Sequence, residues 1–293
     1  MDDSTPNLTP IQRRLVETHL DMTSKVWGND PNLYSHSVMC SVSLPLKSLD
    51  QDQRVYERRV GPVWLRMEGG SVPSAAGFQD VGLPYGAMAR LLLLHICSSA
   101  VLNQSPKVEI AETFTAFAKE LGIPVAGRSL RHLREQILRL SAVQIKVSKT
   151  TGNVIEAFQA PMFDRFVGTI PSDPNQLPLW ATEIEFSPRF YESLRTSAVP
   201  IPIESVHALK HSARCLDILS WLSYRLWRLN KPLKLRWTTL QVQFGDPSQD
   251  LKGFKRMFKR ALDQVLLVYP QANVEVVYGG LLLKKSPPAI PRR

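Results

Sequence analysis

The chain has 293 residues, enough for two ordinary domains, and its 44% hydrophobic and 8% aromatic content excludes wholesale disorder. Lys and Arg number 36 against 26 Asp and Glu, a formal net charge of +10, while three scattered cysteines (Cys40, Cys97, Cys215) exclude a disulfide scaffold and fit a reducing compartment. The acidic opening MDDSTPNLTP lacks the apolar core of a secretory signal, and the run Leu91 to Cys97, broken by His95, is far short of the roughly 20 residues of a membrane span, so the expectation is a soluble, cytoplasmic protein with no membrane partner.

Residues 1–81 read as an N-terminal extension, partly ordered. Thr9-Pro10 is an N-cap and first-turn pair that predicts a short helix through about Met22. Val38 to Leu46 and Arg59 to Met67 read as strands, and Glu68 to Gln79 (EGGSVPSAAGFQ) as a turn-rich, poorly ordered stretch.

From Gly82 the pattern sharpens. Ala89 to Asn103 is apolar nearly all round, as a helix central to a core is. A short strand over Lys107 to Ile110 and a helix over Glu112 to Leu121, closed by Gly122, come next. A second helix, Arg128 to Leu140, sets Leu130, Leu133, Ile137 and Leu140 on one side and Arg128, Arg131, His132, Glu135 and Arg139 on the other, with Arg134 on the flank. Val143 to Lys149, the turn Thr150 to Asn153, and Val154 to Phe158 then read as a hairpin. Helix, strand, helix, turn, helix, hairpin is the order of a winged helix-turn-helix.

That order recurs: helix Ala213 to Leu229, strand Lys234 to Trp237, short helix Thr238 to Phe244, long helix Leu251 to Val268, then Val274 to Tyr278 and Leu281 to Lys285. Cys215 follows Ala89 by 126 residues, Leu235 follows Val108 by 127, and Leu266 follows Leu140 by 126, a period that indicates two copies of one module. The expected fold is α+β: two tandem winged-helix domains, 82–205 and 206–293, joined by the proline-broken Thr196 to Pro202 and ending in a short disordered tail, 286–293.

The charge is uneven. Residues 206–293 hold 16 Lys/Arg and 5 Asp/Glu, a net of +11, whereas residues 1–205 hold 20 and 21, a net of −1. Such asymmetry points to a partner with a dense negative field. Between Lys252 and Arg260 five of nine residues are basic: Lys252, Lys255, Arg256, Lys259 and Arg260. Their spacing puts all five on one helical face, with Phe254, Met257, Phe258, Ala261, Leu262 and Val265 opposite. A solvated face usually mixes signs; here the first acid is Asp263, one turn later. In a helix-turn-helix the second helix enters the major groove of double-stranded DNA, where Lys and Arg meet guanine edges or phosphates.

The first module's corresponding helix carries four arginines and one glutamate over Arg128 to Ser141, a net of +3, with Arg128, Arg131 and Arg134 as candidate contacts. Glu135 either accepts from a cytosine amino group or pairs with Arg131 or Arg139. Lys146 and Lys149 flank the first wing, and Lys284 and Lys285 end the second; wing lysines contact phosphates or the minor groove, or merely protect an edge.

Catalytic signatures are missing. No G-x-x-x-x-G-K-[ST] exists, and no pair of histidines flanks a single apolar residue as in a metal-dependent nicking enzyme. His207, His211 and Cys215 fall at i, i+4 and i+8, but they span two expected helices with no fourth ligand near, and read as structural or surface residues. Asp173, Glu183 and Glu185 lack supporting geometry, and Trp221, Tyr224 and Trp227, interleaved with Arg225 and Arg228, read as core or cation–π packing rather than a base-stacking platform. The expectation is a non-enzyme without cofactor or metal.

Several segments resemble the RepA family of plasmid-encoded replication initiators: Gly82-Leu83-Pro84-Tyr85-Gly86 leading into Ala89 to Leu94; Arg131 to Gln136; Leu216-Asp217-Ile218 through Trp221 to Leu226; Gln243-Phe244-Gly245; and Val268-Tyr269-Pro270. The similarity spans about residues 37–285, and residues 1–36 receive no function from it. It implies a theta-type initiator that binds direct repeats (iterons) at a plasmid origin through two winged-helix domains, recruits host DnaA and the replicative helicase, and represses its own promoter. It also implies a monomer–dimer equilibrium, the first module serving as dimer interface. The alternative is a plain winged-helix transcriptional repressor, separated from an initiator by function at an origin.

Overall fold

The computed structural model describes residues 9, 13, 15, 17, 32–50, 52–74, 77–110, 113–169 and 180–290. It is a mixed α+β fold. Its first half runs β1 (Asn32–His36), α1 (Ser37–Ser41), β2 (Val55–Val60), β3 (Val63–Glu68), β4 (Ser71–Ser74), β5 (Gly77–Asp80), α2 (Gly86–Leu102), β6 (Lys107–Glu109), α3 (Phe114–Glu120), α4 (Gly127–Ala142), β7 (Gln144–Thr151), β8 (Val154–Pro161), β9 (Phe163–Thr169), β10 (Trp180–Phe186) and α5 (Pro188–Ser197). The second half runs β11 (Ala198–Pro202), α6 (Ile203–Leu209), α7 (Ala213–Arg225), a 3₁₀ turn at Leu226–Arg228, β12 (Leu233–Arg236), α8 (Trp237–Phe244), α9 (Leu251–Val268), β13 (Val274–Val277) and β14 (Gly280–Leu283).

Two cores divide the chain. Val42, Leu44, Tyr56, Leu65 and Met67 close the first against Phe117, Leu133, Ile137, Ile145, Phe186 and Phe190. The second gathers Ile201, Val206, Ile218, Trp221, Phe244, Phe254, Phe258, Leu262 and Leu281. Helix α2 serves both: Leu92, Leu93 and Ile96 enter the first core, Leu91 and Leu94 the second. That double burial is why α2 is apolar all round rather than striped.

The recurrent order is present in the second half with nearly the expected bounds. Asp250 caps α9, its Oδ1 accepting from Gly253 N at 3.1 Å. Strands β12, β14 and β13 form one antiparallel sheet, Leu233 opposite Leu283 and Arg236 opposite Gly280.

Several expectations fail on long-range pairing. Within residues 1–81, expected as a partly ordered N-terminal extension, β2 and β3 join β7 and β8 in a four-stranded antiparallel sheet ordered β2-β3-β7-β8, so this part is built into the first half rather than standing apart from it. The hairpin expected as the first wing is therefore half of a larger sheet. Val38 to Leu46 is helix α1 followed by extended chain, started by His36, whose Nδ1 accepts from Val38 N at 3.1 Å. The stretch Glu68 to Gln79 contains the ribbon β4–β5, Val72 opposite Gln79. Residues 198–202 are not a linker but strand β11, paired antiparallel with β1. Pro200 and Pro202 fit because this two-stranded ribbon leaves edge positions where no N–H is required. The tail is docked through residue 290: Tyr269 Oη donates to Pro287 O at 2.7 Å, Ser286 Oγ accepts from Asn273 N at 2.9 Å, and Ala289 is buried. The helix expected from Thr9 to Met22 lies mostly outside the described residues, although Arg13 N donates to Thr9 O at 2.9 Å; Asp173 also lies outside them.

Candidate nucleic-acid interface

Helix α9 presents its cations as its spacing requires. Phe254, Phe258, Leu262 and Val265 are fully buried, and Lys252, Arg256, Lys259 and Arg260 are exposed, with Lys255 half-buried. Met257, expected on the apolar side, is 42% exposed at the margin of the basic face. Among the described residues none of the five cations makes an ion pair. All five lie in the first ten residues of an 18-residue helix, and Lys252 stands in its first turn, where the macrodipole is already positive. The first turn holds no acid beyond the Asp250 cap, so like-charge repulsion along the face, and the dipole at its N-terminal end, favour an anion there.

The turn before α9 is tightly built. Gly245 follows α8 with its N–H bonded to Gln241 O at 2.7 Å, and a Cβ there would meet the same oxygen at 2.5 Å. Asp246 Oδ1 then accepts from Ser248 N at 3.0 Å and Ser248 Oγ at 2.7 Å. Lys259 sits 5.6 Å from the centroid of the Trp237 ring, and Trp237 N donates to Gly279 O at 3.1 Å at the tip of the β13–β14 hairpin. The basic face and the hairpin tip are thus neighbours.

That adjacency adds residues that helix periodicity does not reveal. Tyr278, at the tip, is 97% exposed, and Lys234 and Arg236 are exposed on β12. The alternation Leu233-Lys234-Leu235-Arg236 is the signal that places both cations on the outer side of the strand. Of the two lysines expected at this wing, Lys284 is paired with Glu275, and Lys285 is exposed.

The first half offers less free charge. On α4, Arg128 and Arg131 are exposed. Arg134 is half-buried over the Phe114 ring, 5.5 Å from its centroid, with Nε buried and without a hydrogen-bond partner among the described residues. Glu135 is held by Arg139 at 2.7 Å and by His132 at 3.4 Å, which settles its pairing. Lys146, on an inner strand, bonds Glu68 at 2.8 Å, whose carboxyl is held below its usual range by hydrogen bonds from Lys146 and Arg66. Lys149 is exposed toward the hairpin end.

The residues weighed as catalytic or ligating do not assemble. Glu183 pairs with Arg165 at 2.6 Å, Cys215 is buried with its thiol toward Gln264 Oε1 at 3.3 Å, and among the described residues no group of three or more His, Cys, Asp or Glu could hold a metal ion. Trp221 is core; Arg228 lies over the rings of Tyr224 and Trp227, 4.2 and 4.3 Å from their centroids. Among the described residues no helix is long and apolar enough to cross a membrane.

Comparison with known proteins agrees with this architecture. Two similar solved structures contain domains 2 and 3 of RctB. The crystal structure of their selenomethionine derivatives superposes with a TM-score of 0.52 at 11% identity, covering 86% of this chain and 98% of that one. A second, of residues 155–483, gives a TM-score of 0.46 at 11% identity, covering 85% and 94%. The first likeness shows a shared fold. No curated protein matches the chain. Residues 83–238, just over half of the sequence, match the family described as plasmid encoded RepA protein. The chain belongs to that family of plasmid replication initiators. The matched segment runs from the entry of α2 into α8, and the basic helix α9 lies beyond it.

Proposed function

We propose that the protein starts plasmid replication by binding double-stranded DNA through two winged-helix modules, with α9 as the principal reading helix and α4 as a weaker second one. The observation that carries this is the basic face of α9, without an ion pair among the described residues, next to an exposed hairpin tip and behind a helix–turn–helix corner. Lys252, Lys255, Arg256, Lys259 and Arg260 enter the major groove, while Lys285 and the Tyr278 tip approach the flanking backbone. Arg128, Arg131 and Lys149 supply further phosphate contacts from the first module; Arg134, Lys146 and Lys284 are held by other partners. Family membership supports direct repeats at a plasmid origin as the target, with opening of the origin, recruitment of host DnaA and helicase, self-repression, and a dimer that gives way to monomers. The protein acts in the cytoplasm as a binder and catalyses no reaction.

The test is selection of bound fragments from a mixed random and plasmid-derived duplex pool, followed by titration at several salt concentrations. The expected result is a site of about two helical turns, present as tandem repeats, with a log–log salt slope of roughly −5 to −9 for six to ten neutralised phosphates. Binding without sequence enrichment would contradict the reading.

A further inference from the structure

Besides sharing helix α2, the two halves touch at a point that is equivalent in each. In each, the helix before the candidate reading helix ends at a glycine: Gly122 after α3, at φ +63°, and Gly245 after α8. The carbonyl of each glycine accepts a hydrogen bond from a cation of the opposite half. Arg58, on β2, donates through Nη2 to Gly245 O at 2.7 Å and through Nη1 to Gln243 O. Lys210, immediately after α6, donates from Nζ to Gly122 O. Arg58 is only 8% exposed, and both of its carbonyl partners lie at the negative end of α8, where a buried cation is favoured. Two further contacts brace the second corner: Lys47 meets Asp246 at 2.9 Å, and Gln243 Nε2 donates to Ser41 O at 2.9 Å.

We infer that Arg58 and Lys210 are positioning residues that lock the two helix–turn–helix corners together and so set the spacing of DNA segments the protein accepts. The inference rests on the reading that α4 and α9 both face duplex DNA. With α2 packed into both cores, a corner also pinned from the other half cannot rotate alone, so the separation of the two reading helices is a property of the fold rather than of the bound site. Rigid coupling gives full affinity at one phasing and a penalty at others; a loosened pair tolerates altered phasing because each module binds semi-independently.

The experiment uses the full chain and the duplex site selected as above, beside a copy with five base pairs, about half a helical turn, inserted between the segments protected by each half. Wild type should lose roughly 30-fold or more in affinity on the insertion. The Arg58→Ala/Lys210→Ala variant should lose less than about 5-fold, with the far-UV spectrum unchanged. An Arg58→Lys/Lys210→Arg variant keeps a donor at both positions; it should retain most of the wild-type penalty, and it remains informative if the alanine variant fails to fold. An alanine variant with the full wild-type penalty, a donor-keeping variant that has lost it, or a wild type indifferent to the insertion overturns the inference. A wild type without any selected site overturns the DNA-binding reading itself, and the wild-type arm shows this before any variant is compared.

Discussion

Arg90 and Asp217 form a buried, two-pronged ion pair across the halves of the protein. Nε meets Oδ1 at 2.6 Å and Nη2 meets Oδ2 at 2.7 Å, with the side chains 5% and 8% exposed. The guanidinium also donates to Leu44 O at 2.8 Å, Gly86 O at 2.8 Å and Pro45 O at 3.1 Å, so its donors are spent on α7, on its own helix and on the extended chain after α1. A pair so enclosed gains little over an apolar contact, but removing one member strands the other in a dry interior.

Asp217→Ala should therefore destabilise the protein by about 3–5 kcal/mol, whereas Arg90→Met combined with Asp217→Leu should cost less than the sum of the two single changes. Urea unfolding of Asp217→Ala, Arg90→Met, Asp217→Leu and the double variant reads this. A single change costing less than about 1 kcal/mol would show that the pair is not dry.

His36 gives the fold a defined acid sensitivity. Its Nδ1 accepts from Val38 N, so its proton sits on Nε2 and is donated to Ser193 Oγ at 2.9 Å. Burial lowers its pKa to about 4. The unfolded chain takes up a proton near 6.5, and the folded chain does so only near 4, so between those values the unfolded state binds more protons. Stability should fall by roughly 3 kcal/mol as pH drops through that window. His36→Asn, which keeps a capping acceptor, should flatten this dependence in unfolding titrations between pH 7 and 4.

Burial pushes the thiols of Cys40 and Cys97 up to about 12, and it raises that of Cys215. All three should be inert to a thiol reagent at pH 8 in the native protein and react fully in denaturant. Rapid native labelling would show that the cores open.

The first module's cations should separate by partner. Replacing the exposed pair Arg128 and Arg131 by Ala should weaken DNA binding several-fold at unchanged melting temperature. Arg134→Ala should lower the melting temperature instead, because that guanidinium packs on Phe114. Lys146→Ala should leave affinity unchanged, its charge being matched by Glu68. Affinity measurements paired with thermal unfolding distinguish the three.

The second half was largely legible because its signals are local. Helix α9 occupies the expected residues, Leu251–Val268, since an acidic cap, an apolar stripe and a basic stripe all repeat within it. The first eighty residues were not, because their structure is fixed by distant partners. Pro200 is a strand residue only because Tyr34 lies opposite, and β3 is an inner strand only because β7 pairs with it. The site divides the same way. Periodicity finds the face of α9, whereas the ties of Arg134 to Phe114 and Lys146 to Glu68 come from other elements, the helix just before in one case and a strand 78 residues away in the other. Tyr278 carries no periodic signal at all; its exposure comes from the hairpin tip it occupies.

The most direct measurement is the affinity of a charge-reversed α9 for the selected duplex, with circular dichroism recorded on the same protein. Lys252→Glu, Arg256→Glu and Lys259→Glu together change exposed side chains only. The account predicts loss of specific binding by about 100-fold or more, a salt slope shallower by about 2 to 3, and an unaltered spectrum. Retained affinity and slope in the folded variant would contradict it and remove α9 from the DNA.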